Sequence, residues 1–204
     1  MATFEEAIEI GGDRLVLERP AEPESLIDED AFADDEFLPY WAERWPSGIA
    51  LAEHIAARDL GETRVLEIGC GLGLPSLVAA RLGADVVATD WSPDAIALLE
   101  RNANRNGLRV TAVRADWRDT DAMVSLGPFD LVLAADVLYE ARNAAPILTL
   151  LSTLGAPAII ADPGRRHAAG FLGAARADGW EVDTVFDARI PQGGIHRLSR
   201  VRPS

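Results

Sequence analysis

Four short stretches of this chain of 204 residues carry groups that could bind and position a reacting molecule. Glu67 precedes Gly69, Cys70, Gly71 and Gly73 in VLEIGCGLGLPS. Asp90 is followed by Trp91, Asp116 by Trp117, and Asp136 by Tyr139 at the third position on. Glycines at that spacing let the backbone turn sharply and come close to a ligand. Carboxylates accept hydrogen bonds from hydroxyl and amino groups, and indoles offer flat faces to a heteroaromatic ring. The turn reads G-x-G-x-G. Leu74 stands where the dinucleotide pattern G-x-G-x-x-G has its third glycine.

Such residues act together only if a scaffold brings them to one edge. Strand and helix patterns alternate from residue 64 onward. VLEI, DVVAT (85–89), RVTAV (109–113), DLVLAA (130–135) and PAIIA (157–161) read as five buried strands. PSLVAARLG, residues 92–107, AAPILTLLSTLG and residues 165–179 read as the helices between or after them. Ser92 caps the second of these, with Pro93 at its first position and Gly107 as its stop. WEVDTVFDA and GIHRLSRVR alternate with period two, with no helix between them. Upstream, residues 5–19 predict a β-hairpin around Gly11-Gly12, residues 20–36 an acidic loop, and Ser47 caps a helix running to about Arg58.

The expected fold class is α/β: a Rossmann-like, doubly wound, mostly parallel seven-stranded sheet. It carries an antiparallel C-terminal edge hairpin and a small N-terminal β-hairpin/helix extension. We expect a single domain over 1–204, with 1–60 as the N-terminal extension and first helix and 61–204 as the core. In open sheets of this kind ligands sit beyond the carboxyl ends of the strands. The four stretches all follow strands, so they share one rim.

On that rim Asp90 can accept the hydroxyls of a ribose, Asp116 an adenine amino group, and Trp117 can lie on the ring, with Trp91 beside it. Glu67 ends an apolar strand, where a buried carboxylate needs donors. Backbone N–H groups and a positively charged ligand would supply them. Adenine, ribose, a positive charge and no pyrophosphate together describe S-adenosyl-L-methionine as the cofactor.

At these residues the sequence resembles the seven-strand class I methyltransferases, and more narrowly methyltransferase family 16, the lysine methyltransferase-like group. The resemblance rests on the glycine loop with its following Pro75-Ser76, on YWAERWPSGIALA, and on ADVLYE, which holds Ala135. It implies that Trp45 flanks the cofactor, with Ala135 at the same end of its strand, and that Asp136 and Tyr139 lie at the substrate lysine. It implies methyl transfer to a lysine amine of a protein. A small-molecule N- or O-methyltransferase and a non-catalytic S-adenosylmethionine-binding module are the alternatives. An ionised Asp136 beside an amine would raise the amine's pKa, so we expect it to capture and orient the ammonium rather than act as a base. Tyr139 would fix the amine. Arg165-Arg166 reads as a surface pair, and Trp41 and Trp180 as core.

Composition bounds the rest. The formal charge is −14, with 33 acidic and 19 basic residues and no lysine among the latter. That field opposes nucleic acid, and no run is apolar enough to span a membrane. The acidic stretch 18–36 offers a docking face for a basic partner, against the plainer reading of a solvated surface. No metal-ligand cluster is evident. MATFEEAIEI has no signal-peptide pattern, and Cys70 is the lone cysteine, so a cytoplasmic protein is expected.

Overall fold

The computed structural model describes residues 2–22 and 40–200. Most of the acidic stretch lies outside them. The chain begins with an antiparallel hairpin of β1 (Thr3–Ile10) and β2 (Asp13–Pro20). A 3-10 turn over Tyr40–Ala42 then leads into α1 (Pro46–Ala56). The strand–helix succession follows: β3 (Arg64–Ile68), α2 (Leu74–Arg81), β4 (Asp85–Asp90), α3 (Pro93–Arg105), β5 (Thr111–Arg114), α4 (Thr120–Ser125) and β6 (Leu131–Ala135). It ends with α5 (Ala141–Leu154), β7 (Ala158–Asp162), α6 (Ala168–Ala177), β8 (Glu181–Val185) and β9 (Gly194–Ser199).

The seven-stranded sheet has the order β5-β4-β3-β6-β7-β9-β8. The first five of these are parallel, and β9 runs antiparallel to both β7 and β8. The C-terminal hairpin is therefore inserted so that β8, not the last strand, forms the edge. Residues alternate between the two faces because side chains on a strand do. Val65, Val86, Ala88 and Leu133 meet the hairpin, α1, α2 and α3. Leu66, Ile68, Val132 and Ile160 meet α4, α5 and α6. Each fully buried leucine contributes about 1.5–3 kcal/mol over its exposed state.

Helix ends follow local chemistry, with corrections. Ser92 caps α3 through its hydroxyl, which accepts the Ala95 N–H. Ser47 is not the cap of α1. Trp45 holds that position, Pro46 opens the helix, and Ser47 is buried inside the first turn. Proline at the first helical position loses no intrahelical bond, so the helix starts two residues earlier than a Ser47 cap would set it. Helix α4 has no counterpart in the sequence reading. It is a turn and a half capped by Asp119, too short to show a period.

The chain runs from β3 outward through β4 to β5, then returns to place β6 on the other side of β3. The carboxyl ends of β3 and β6 therefore frame the switch point, the place where such sheets leave a crevice.

Candidate active site

The glycine turn leaves β3 at that switch point. Gly73 adopts φ +73, and a Cβ there would lie 2.2 Å from Leu99 Cδ1, so only glycine fits the turn against α3. Three of the turn's donors are already engaged. Cys70 N–H bonds Thr89 O at 2.9 Å, Gly71 N–H bonds Asp90 Oδ2 at 2.9 Å, and Gly73 N–H bonds Cys70 O at 2.7 Å.

The start of α2 is closed in the same way. Pro75 has no N–H, and the Ser76 N–H donates to Glu67 Oε2 at 2.9 Å, with the Ser76 hydroxyl bonding the same oxygen. Glu67 thus caps the helix from the neighbouring strand. A helix N-terminus normally seats a phosphate through its free N–H groups. Here the Glu67 carboxyl group takes the Ser76 N–H and Pro75 has none, so neither is available to a diphosphate.

The walls around this turn enclose a cavity of about 290 Å³. Trp45, Glu67, Gly69, Cys70, Gly71, Gly73, Asp90, Trp91, Trp117, Ala135, Asp136 and Tyr139 all line it. The exception is Asp116. Its carboxylate forms a fork with Arg118, 2.7 Å at the closest, and accepts the Arg118 N–H at 2.8 Å. Burial alone would raise this acid, but Arg118 holds it below its usual range. It faces an adjoining cavity of about 330 Å³ that shares Trp91, Trp117 and Tyr139 with the first. Asp116 thus stands at the adjoining cavity rather than the first, with both its oxygens paired to the Arg118 guanidinium.

Burial governs the acids that do line the cavity. Glu67 is pushed up to about 8 by desolvation, against the bonds from Ser76, with Asp90 adding to the rise. Asp90 is likewise raised by burial, although its Oδ1 accepts the Ser92 N–H at 2.9 Å. Each Asp90 oxygen has taken one N–H and retains a lone pair, which suits ribose hydroxyls. The neutral Glu67 acid becomes a carboxylate at little cost once a cation sits beside it. The residues present therefore fit an adenosyl group bearing a positive charge. Asp90 would hold its ribose, Trp91 and Trp117 its base, and Glu67 its amino group.

Beyond the cofactor end, aromatic rings wall the opening. The Tyr40 and Tyr139 centroids lie 5.5 Å apart, and the Trp45 indole N–H donates to Tyr40 O at 2.8 Å. Desolvation pushes the Tyr139 phenol up to about 12, so it stays protonated. Asp136 has φ +56, a left-handed conformation that Asp adopts more readily than most residues. Its carboxylate is not free for an ammonium. Arg165 Nε and Nη2 donate to its two oxygens at 2.8 and 3.0 Å.

Arg165 is therefore a cavity residue and not half of a surface pair. Trp41, read as core, also lines the cavity, with its carbonyl packed over Gly71. Trp180 is in the core as expected. Leu17, Tyr40 and Arg44 are further cavity residues that strand ends could not reveal. The one local signal was the aromatic density of YWAERW. Asp136 is forked by Arg165, and Asp162 Oδ1 accepts the Gly164 and Arg165 N–H groups.

Comparison with known proteins agrees with this geometry. Residues 42–169 match the family model described as lysine methyltransferase. The histone-arginine methyltransferase METTL23 of Mus musculus is 31% identical over 144 residues, covering 68% of this chain and 53% of that protein. The electron transfer flavoprotein beta subunit lysine methyltransferase of Danio rerio is 33% identical over 137 residues, covering 62% and 51%. The matched segments thus span about half the length of these relatives. Among solved structures, the magnesium protoporphyrin IX methyltransferase of Synechocystis, with bound S-adenosylmethionine, superposes with a TM-score of 0.60 at 21% identity, covering 82% of each chain. That likeness is one of fold. With the family model matched from the 3-10 turn to the start of α6, across the strands that carry the cavity, this chain belongs to the lysine methyltransferase family.

Proposed function

We propose that this chain is an S-adenosylmethionine-dependent methyltransferase whose acceptor is a lysine side-chain amine of a protein. The observation that carries the reading is the capped start of α2. Glu67 takes the Ser76 N–H that a diphosphate would use, at the base of a cavity lined by Asp90, Trp91 and Trp117. Family membership supports the lysine acceptor. When bound, the cofactor supplies an electrophilic methyl group, and the chain's own residues need only align the acceptor and keep water out. Asp90 and Glu67 hold and orient the cofactor end. Tyr40, Trp45 and Tyr139 are the aromatic side chains that line the acceptor end. The protonated Tyr139 hydroxyl is a donor and acceptor that can fix an amine.

Methyl-labelled S-adenosylmethionine incubated with the purified chain and a lysate of its source organism tests this. A labelled protein band is expected, and Asp136→Ala should reduce it by about a hundredfold, the scale lost when a positioned reactant is freed. The chain contains no lysine, so methyl-lysine in the band cannot be its own. Label confined to a soluble metabolite would favour a small-molecule acceptor, and no transfer at all a binding module. An arginine acceptor is the second reading, because the relative METTL23 is a histone-arginine methyltransferase, and hydrolysis of the labelled band to methyl-lysine or methyl-arginine separates the two.

A further inference from the structure

The acceptor end of the cavity is built around one ion pair. Asp136 is almost fully buried, its side chain 5% exposed, and both its oxygens are bonded by Arg165. The Arg165 guanidinium also lies 5.6 Å from the centre of the Trp45 ring. Its backbone is fixed, because the Arg165 and Gly164 N–H groups both donate to Asp162 Oδ1, at 2.7 and 2.8 Å. Asp162 is itself fully buried and pins the loop that carries the arginine. Of the other acids lining the cavity, Glu140 is paired with Arg142, Glu67 and Asp90 lie at its cofactor end, and Glu43 is next to Arg44, which lines it too.

A bare carboxylate in a buried site would hold an entering amine as its ammonium, by favouring the charged form. An ammonium has no lone pair with which to take a methyl group. A forked arginine removes that obstacle: it cancels the charge while leaving each carboxylate oxygen a lone pair for one more hydrogen bond.

We propose that Arg165 is a positioning residue acting through Asp136, cancelling the carboxylate's charge and fixing its plane so that the acceptor is received as a neutral hydrogen-bonding group rather than as a cation. The proposal rests on Asp136 marking the acceptor end. It assigns Arg165 a permanent place in the site, not that of a plug which must leave.

The test uses two small probes of similar shape, n-butylammonium and 1-butanol, with affinities read by saturation-transfer NMR at neutral pH. Relative to wild type, Arg165→Gln should raise the affinity for n-butylammonium about tenfold, the size of a one-unit shift from an adjacent opposite charge, and leave 1-butanol unchanged. Arg165→Lys, which retains a cation, should stay within about threefold of wild type for both. Because Arg165→Gln leaves a buried carboxylate unpaired, two variants without that burden are measured beside it. Asp136→Asn should lower the preference for the cation about tenfold, and Asp136→Asn with Arg165→Gln should return it to the wild-type ratio.

An unchanged ratio in all variants would overturn the proposal. So would a parallel gain for both probes in Arg165→Gln, which would make the arginine a space-filling plug. Calorimetry of wild type with S-adenosylhomocysteine reports separately on the methyltransferase reading, since it does not depend on Arg165.

Discussion

Glu67 shows how one side chain settles which ligand class a glycine turn can take. Its carboxyl group caps α2 through Ser76, and burial pushes it up to about 8 from an ordinary value of 4.5. The folded chain therefore keeps a proton that the unfolded chain releases between those two values. Stability from this group is complete below the lower value and is lost as the pH rises through the upper one. Glu67→Gln should remove that part of the decline, so that melting temperatures fall less between pH 5 and 8 than in wild type. A thermal melt series across that range checks it, and equal slopes in both proteins would contradict the burial argument. Asp136 teaches the opposite lesson. Its position after a strand was legible, but its partner in the site, Arg165, lies 29 residues further along.

At the scale of elements, the N-terminal hairpin is joined to α3 by side chains that imitate a neighbouring strand. Asn102 accepts the Glu18 N–H at 2.7 Å and donates to the Glu18 carbonyl at 3.0 Å. One turn later Asn106 does the same for Val16, at 2.9 and 2.8 Å. Residues two apart on a strand and four apart on a helix have nearly the same spacing, so two amides satisfy the exposed edge of β2. An unsatisfied edge is a site for unwanted pairing. Arg101 and Arg105 bracket the same contact through Glu18. Asn102→Ala strands a buried N–H and a carbonyl, and should cost about 2–3 kcal/mol in urea denaturation. A loss under about 0.5 kcal/mol, the level of an ordinary surface change, would show that water replaces the amide.

Taken as a whole molecule, the hairpin belongs to the core and to the cavity wall rather than to an appendage. Leu15 and Leu17 are fully buried with residues of α1 and α2, and Leu17 also lines the cavity. Leu17→Ala should destabilise the chain by about 2–5 kcal/mol. It should also weaken S-adenosylhomocysteine binding, measured calorimetrically on protein still folded at the working temperature. Unchanged binding would place the hairpin outside the site's support.

Local pattern alone determined the alternation of strands and helices, the glycine turn, the cap and stop of α3, and the strand ends that bear Glu67, Asp90 and Asp136. Period, propensity and turn chemistry are properties of neighbouring residues, so a sequence displays them. Only the tertiary structure decided that Arg165 forks Asp136, that Asp116 pairs with Arg118 beside an adjoining cavity, that Trp41 lies over the glycine turn, and that β9 enters between β7 and β8. Each of these is a competition for a partner brought near by folding. The winner is set by which charge or backbone group the sheet places within hydrogen-bonding or packing distance, and no local period carries that information.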